Sequence, residues 1–250
     1  MVAGFALLTL NDAVLKWLTA SYPTGQIVFM RSIFVMILVG IIAWRLGGET
    51  TYAIEGSTFI AGAVVQWLRD GLGIIGSASD TDDMAEMLGD NDGVYMVPAF
   101  VGLGAPRWDP GARGTITGLT RGSSAEHLAR AALESTAYQV RDVIHAMSPS
   151  GRTSSTPIRA DGGQTASRFL MQFQADILDR PVEVSEIAET TAIGAAFLAG
   201  RGIGLWRSDG ELTRLLRTGA RYDPAMAEGQ RAGLIAGWYD ALERTASVIG

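Results

Sequence analysis

The chain has 250 residues, of which 48% are hydrophobic, so it is long enough for one or two domains with a sizeable core. Its net charge is −6 at pH 7 and no basic run is interleaved with aromatic residues, which argues against a nucleic-acid partner. Cysteine is absent, so disulfides and cysteine-containing zinc sites are excluded, and His127 and His145 are too far apart in sequence to suggest a histidine metal site. We expect no metal site formed by protein side chains.

Two apolar runs open the chain. The first covers residues 2–20, a turn signal follows at residues 21–25, and the second covers residues 26–46. About twenty apolar residues in a helix span ~30 Å of hydrocarbon, so the runs predict a hydrophobic helical hairpin over residues 1–48. A buried helical pair in a soluble protein is the alternative.

The charged residues inside these runs are few. Asp12, Lys16 and Arg31 would be costly in a membrane unless they face a partner or a water-filled path. The segments at residues 11–17 and 26–32 resemble the first two membrane helices of EamA-type drug/metabolite transporters. The resemblance implies membrane association through residues 2–46, and Arg45 favours a cytoplasmic side for the C-terminal region of the chain.

From Tyr52 onward the pattern is typical of a layered α/β domain, because short apolar strands alternate with amphipathic helices and glycine turns. Strands are predicted at residues 52–57, 93–100, 157–161 and 182–184, and helices at residues 59–70, 124–147, 169–178 and 191–202. Pro98 should mark an edge strand or a strand end, since proline cannot donate a ladder hydrogen bond.

Glycine-rich motifs lie between these elements. Residues 102–114 read Gly-Leu-Gly-Ala-Pro-Arg-Trp-Asp-Pro-Gly-Ala-Arg-Gly, residues 115–122 read Thr-Ile-Thr-Gly-Leu-Thr-Arg-Gly, and residues 160–163 read Ala-Asp-Gly-Gly. In this order they resemble the C-terminal ATP-binding domain of glycerol kinases, which are FGGY carbohydrate kinases. The resemblance implies an actin/hexokinase-like (ribonuclease H-like) α/β ATPase domain over residues 49–250, preceded by the hydrophobic helical hairpin.

Four residues are candidates for nucleotide binding. Phosphoryl transfer needs backbone N–H groups near the phosphates, and Gly162-Gly163 forms a predicted strand-to-helix turn. The resemblance implies ATP contacts at Gly163 and Ser167, and further contacts at Gly118 and Gly122. The family usually has asparagine where this chain has Ser167, so the contact there is expected to be lost or water-mediated. Gly114, Gly118 and Gly122 could alternatively simply form turns.

The resemblance implies ATP-dependent phosphorylation of glycerol to glycerol 3-phosphate, with ATP and Mg²⁺, by a cytoplasmic protein that forms homo-oligomers. The family's N-terminal phosphate loop and catalytic aspartate segment have no counterpart here, so we assign no catalytic residue and expect activity only with a separate N-terminal domain. One alternative is a non-catalytic nucleotide-binding or assembly module. Another is a membrane-anchored transporter fragment, or a chimera whose junction near residues 48–51 arose from fused coding sequences.

Overall fold

The computed structural model describes residues 44–46, 49–51, 54–147, 156–187, 189–206, 208–215 and 217–247. The chain divides into two compact units, residues 1–57 and residues 58–250. In the first unit, strands β1 (Trp44–Leu46) and β2 (Glu49–Thr51) pair antiparallel, with Trp44 opposite Thr51.

Most of the predicted helical hairpin lies outside the described residues. The last three residues of its second run, Trp44–Leu46, are described, and they form strand β1 instead of the end of a helix. No helix among the described residues is long and apolar enough to cross a membrane. The strand predicted at residues 52–57 is wrong for residues 54–57, which are exposed and irregular, so they have no buried face to favour a sheet.

The second unit contains the predicted alternation of helices and strands. In chain order its elements are α1 (Gly62–Asp70), α2 (Asp80–Glu86), β3 (Tyr95–Val97), β4 (Thr115–Thr117), α3 (Ala125–Met147), β5 (Ile158–Ala160), a 3₁₀ turn (Gly163–Ala166), α4 (Arg168–Leu178), β6 (Val182–Ser185), α5 (Thr190–Gly202), α6 (Asp209–Thr213), β7 (Thr218–Tyr222) and α7 (Glu228–Thr245). The α/β prediction for this region is confirmed.

The strands of the second unit form two small sheets. Strands β5 and β6 are parallel, with Ile158 opposite Val182, and β7 pairs antiparallel with β6. Strands β3 and β4 form a separate antiparallel pair. Strand β3 ends immediately before Pro98, as the sequence predicts, because proline has no N–H for the ladder.

Helix α3 is central to the core. It packs against α1, α2, α4 and β3. The ring of its Tyr138 stacks on Trp238 with centroids 5.1 Å apart and meets the edge of Phe173 at 5.5 Å, and such aromatic pairs contribute about 0.5–1.5 kcal/mol each beyond burial. The apolar face predicted for α1 is confirmed, since Val64 and Leu68 are fully buried in the same core.

A buried ion pair joins α3 to the segment after α2. Arg130 Nε donates to Glu134 Oε1 at 2.7 Å, and Arg130 Nη1 donates to the carbonyl oxygen of Leu88 at 2.5 Å. The other Glu134 oxygen accepts from Asn91 Nδ2 at 3.1 Å and from the Tyr138 hydroxyl at 3.3 Å. Burial raises the pKa of the Glu134 carboxyl, and the charge and hydrogen bond of Arg130 oppose that rise. The pair therefore fixes α3 against the segment after α2.

Helix α7 packs against β3, β4 and α4. Gly237 lies directly against the ring of Tyr95, where a Cβ atom would overlap the ring. Trp238 is buried beside it, and its Nε1 donates to Asp142 Oδ2 at 2.9 Å. The close approach of α7 to β3 therefore depends on glycine at position 237.

Candidate functional site

The candidate site is a cavity of about 410 Å³. It lies where α1, α2, the 3₁₀ turn and the first turn of α4 come together. Its described lining residues are Gly62, Val65, Gln66, Arg69, Ala78, Ser79, Thr81, Asp82, Leu133, Gly163, Gln164, Ala166, Ser167 and Leu170. This cavity contains two of the four predicted nucleotide-binding residues, Gly163 and Ser167.

Gly163 opens the 3₁₀ turn that follows β5. The preceding Gly162 has φ +89°, a backbone conformation that favours glycine, and it lies between the strand and the 3₁₀ turn. A Cβ atom built on Gly163 would meet no atom within 4 Å, so the space above its backbone is open. The predicted strand-to-helix turn is confirmed, with a short 3₁₀ segment placed before the helix.

Ser167 caps the N-terminus of α4. Its Oγ accepts from the backbone N–H of Leu170 at 3.0 Å, which satisfies one of the unpaired donors at the start of the helix. The same hydroxyl donates to Asp82 Oδ1 at 2.5 Å. Ser167 therefore links α4 to α2 at the wall of the cavity.

Gly118 and Gly122 are not among the residues that line this cavity. Gly118 follows β4 with φ +80°, and a Cβ atom there would overlap the carbonyl oxygen of Gly93. The backbone N–H of Gly122 donates to Thr120 Oγ1 at 3.1 Å within a turn. The backbone conformation and close packing at position 118 are therefore sufficient to explain its glycine without a ligand. ATP contacts at all four candidate residues stay predictions.

Sequence reasoning missed most of the polar and small residues of the cavity, including one glycine, two glutamines and one aspartate. Gly62 and Gln66 are one helical turn apart on α1, on the side away from the buried Val64. Asp82 comes from α2 and Gln164 from the 3₁₀ turn. The four-residue spacing of Gly62 and Gln66 was a usable signal, because it places a glycine and an amide on one face of a helix whose residues 62–68 are otherwise apolar.

Two charged residues are found among the described lining of the cavity. Arg69 Nε and Nη2 both donate to the carboxylate of Asp70, at 2.7 and 2.9 Å. The hydrogen bond from Arg69 lowers the pKa of Asp70. Asp82 has no basic partner in the described part of the chain, and its contact is the hydroxyl of Ser167. One wall of the cavity is therefore acidic.

A second cavity of about 300 Å³ lies between the β5–β6–β7 sheet and α5. Its lining includes Asp161, Thr190 and Arg217 and none of the predicted nucleotide-binding residues. No group of three or more His, Asp or Glu residues that could hold a metal ion is found in the described segments. We therefore base the site on the larger cavity.

Comparison with known proteins decides the family. Residues 37–203 match the model of the C-terminal domain of the FGGY family of carbohydrate kinases, which is more than half of the chain. The chain belongs to this FGGY family. The match begins inside the second apolar run, so it includes part of the segment predicted to resemble a transporter.

Individual relatives include glycerol kinases. A glycerol kinase of Rhodospirillum centenum is 56% identical over 210 residues, which are 84% of this chain and 42% of that protein. The crystal structure of Plasmodium falciparum glycerol kinase with ADP superposes with a TM-score of 0.76 at 35% identity, covering 84% of this chain and 42% of that one. A xylulose kinase of Rhodospirillum rubrum superposes with a TM-score of 0.64 at 29% identity, covering 76% and 39%.

These relatives confirm the actin/hexokinase-like α/β fold expected for this FGGY domain. The chain spans less than half the length of the glycerol kinases that it matches. The part it matches is the C-terminal domain of the family.

Proposed function

We propose that the second unit binds ATP in the 410 Å³ cavity and acts as the nucleotide-binding part of an ATP:glycerol phosphotransferase. One observation carries the proposal. Gly163 and Ser167, which the resemblance implies as ATP contacts, line one cavity although they were assigned from sequence alone. The relation to glycerol kinases, one of which is known with ADP, supports a nucleotide as the ligand.

The cavity has the size and chemistry for the nucleoside part of a nucleotide. Ligand cavities typically measure about 300–1,000 Å³ and combine apolar walls with a few polar groups. Here Val65, Leu133 and Leu170 provide apolar surface, while Gln66 and Gln164 carry amides that can both donate and accept hydrogen bonds. The open space above Gly163 lets a ligand approach the backbone closely.

Magnesium and glycerol enter as parts of the same proposal. Mg²⁺ bound with the nucleotide would supply positive charge that offsets the charge developing on the phosphates. The described residues contain no group of three or more His, Asp or Glu side chains that could hold a metal ion, and we assign Mg²⁺ to none of them. We likewise assign no catalytic residue to the cavity, and transfer to glycerol then needs groups beyond those that line it.

A non-catalytic nucleotide-binding or assembly module is the second candidate. It is favoured by the lining of the cavity, because none of the described residues there is assigned a catalytic role. Both candidates predict nucleotide binding. They differ only in turnover.

The test is calorimetric titration of the purified chain with Mg-ATP, with and without glycerol, beside an assay for ADP. Binding with glycerol-dependent ADP release supports the kinase, and binding without release supports the non-catalytic module. Undetectable binding at millimolar nucleotide would contradict both candidates.

We infer that this kinase-like region functions in the cytoplasm and self-associates, as the resemblance implies. The domain division at residues 48 and 49, the transporter resemblance of residues 1–48, and the chimeric origin stay predictions. Cell fractionation tests the membrane prediction: recovery of the intact chain in the detergent-free supernatant would contradict it. Sedimentation velocity of the purified chain tests self-association, and a monomer at micromolar concentration would contradict that inference.

A further inference from the structure

Asp82 lines the cavity and contacts the side chain of Ser167. Ser167 Oγ donates to Asp82 Oδ1 at 2.5 Å, so the carboxylate is oriented by a hydroxyl that is itself fixed at the cap of α4. Within the described residues no group donates to Asp82 Oδ2. Its second oxygen is therefore free to accept a hydrogen bond from a ligand.

The Ser167–Asp82 pair presents only hydrogen-bond acceptors to the cavity. The one hydroxyl proton of Ser167 is used by Asp82, and an ionised carboxylate has no donor. A ligand group that meets this wall must therefore bring its own N–H or O–H. A group that presents only lone pairs would be repelled.

The charge of Asp82 disfavours direct contact between its carboxylate and a phosphate. Arg69, the cation among the described lining residues, donates twice to Asp70 and makes no hydrogen bond to Asp82, so no described cation pairs with Asp82. Like charges in a partly enclosed site disfavour each other. The phosphates of a bound nucleotide should then lie away from Asp82, and the nucleoside should lie beside it.

We propose that Asp82, oriented by Ser167, is a specificity-determining residue that accepts a hydrogen bond from a donor of the nucleoside, either the 6-amino group of adenine or a ribose hydroxyl. This inference rests on the proposed function, since it places the nucleotide in the same cavity. It assigns the orientation of that nucleotide and a chemical basis for preferring one nucleotide over another.

The test is calorimetric titration of the intact chain with four Mg²⁺-loaded probes: ATP, ITP, 2′-deoxy-ATP and 3′-deoxy-ATP. ITP carries a 6-oxo acceptor in place of the amino group, and each deoxy analogue lacks one ribose donor. The variants are Asp82→Asn, which keeps the shape but removes the charge, and Asp83→Asn as a matched control on the exposed neighbour. Asp82→Ser is a second variant if the first is poorly folded by circular dichroism.

The wild type should bind ATP about tenfold or more tightly than the analogue that lacks the recognised donor, because hydrogen bonds to charged groups are strong. Asp82→Asn should weaken ATP binding and reduce that ratio towards one, while Asp83→Asn should leave both unchanged. If Asp82→Asn loses the preference for ATP over ITP, the adenine amino group is the donor. If it loses the preference for ATP over a deoxy analogue, the donor is the ribose hydroxyl that this analogue lacks.

Two results would overturn this inference and leave the proposed function intact. In the first, Asp82→Asn binds all four probes with the same affinity as the wild type. In the second, Asp82→Asn binds ATP more tightly than the wild type, which would put the phosphates beside Asp82. Absence of ATP binding by the wild type would instead overturn the proposed function and this inference together.

Discussion

Gly118 lies against the carbonyl oxygen of Gly93 in a left-handed backbone conformation, with φ +80°. Gly122, four residues later, has an ordinary φ, and the nearest atom to a Cβ built there is Thr120 Oγ1 at 3.6 Å. The two glycines look equivalent in the sequence motif, but their surroundings differ. They therefore make a matched pair for substitution.

Gly118→Ala should destabilise the fold by about 2 kcal/mol or more, because the methyl group adds both a steric overlap and a left-handed backbone penalty. Gly122→Ala should change the free energy of unfolding by less than about 1 kcal/mol. Urea denaturation followed by circular dichroism measures both. Equal stability of the two variants would contradict the packing of Gly118 on Gly93.

Glu134 is the buried carboxylate whose removal should cost most. Glu134→Ala leaves Arg130 buried without its partner, and breaking a buried pair in this way costs about 3–5 kcal/mol. Glu243→Ala, on the exposed face of α7, should stay within about 0.5 kcal/mol of the wild type. Urea midpoints that agree between the two variants would rule out a structural role for the pair.

At the scale of elements, Asp142 joins α3 to α7. Its Oδ2 accepts from Trp238 Nε1 at 2.9 Å and its Oδ1 accepts from the Tyr239 hydroxyl at 3.1 Å. Trp238 is buried, so its N–H has no access to water as a replacement partner. The attachment of α7 therefore depends on a polar contact inside an apolar interface.

Asp142→Ala should destabilise the protein by about 1–3 kcal/mol, since it leaves the buried indole N–H unsatisfied. Asp240→Ala is the matched control, because Asp240 on α7 pairs with Arg244 on the exposed surface, where such pairs contribute about 0–1 kcal/mol. Thermal unfolding monitored by tryptophan fluorescence reports both. A larger decrease in Tm for Asp240→Ala than for Asp142→Ala would contradict this prediction.

At the scale of the whole unit, Asp109 joins the glycine-rich loop to the end of the chain's last helix. Its carboxylate accepts from the side-chain hydroxyl and backbone N–H of Ser247 at 2.6 and 2.7 Å. It also accepts from the backbone of Gly111 and Ala112. The hydrogen bond from the Ser247 side chain, followed by those from the backbone, lowers the pKa of Asp109.

A lowered pKa in the folded state means that the unfolded chain binds a proton first as the pH falls. The stabilisation from Asp109 is therefore present above the unfolded pKa of about 4 and is lost as the pH falls through it towards the lower folded value. Asp109→Asn cannot titrate, so its Tm should fall less steeply between about pH 5 and pH 3 than that of the wild type. Asp83→Asn serves as the control, and an identical slope for all three proteins would contradict the linkage.

The sequence alone determined the α/β class, the family and part of the order of elements. It did not predict α2, α6, α7, β4 or β7, and the strand predicted at residues 52–57 was wrong for residues 54–57. Local rules were sufficient for these features, because apolar periodicity and glycine or proline positions act within a few residues, as at α1, at Pro98 and at the Gly162-Gly163 turn. The motif order also identified Gly163 and Ser167, which the structure brings to one cavity.

Only the tertiary structure decided which distant residues meet. Asp82 and Ser167 are 85 residues apart, and Asn91 reaches Glu134 across 43 residues, so no local pattern could pair them. The same holds for Gly118, where packing against Gly93 explains the glycine that the motif alone had suggested for a ligand. Such contacts depend on how helices and loops pack around one core, and this information resides in the whole fold and is not encoded in any short segment.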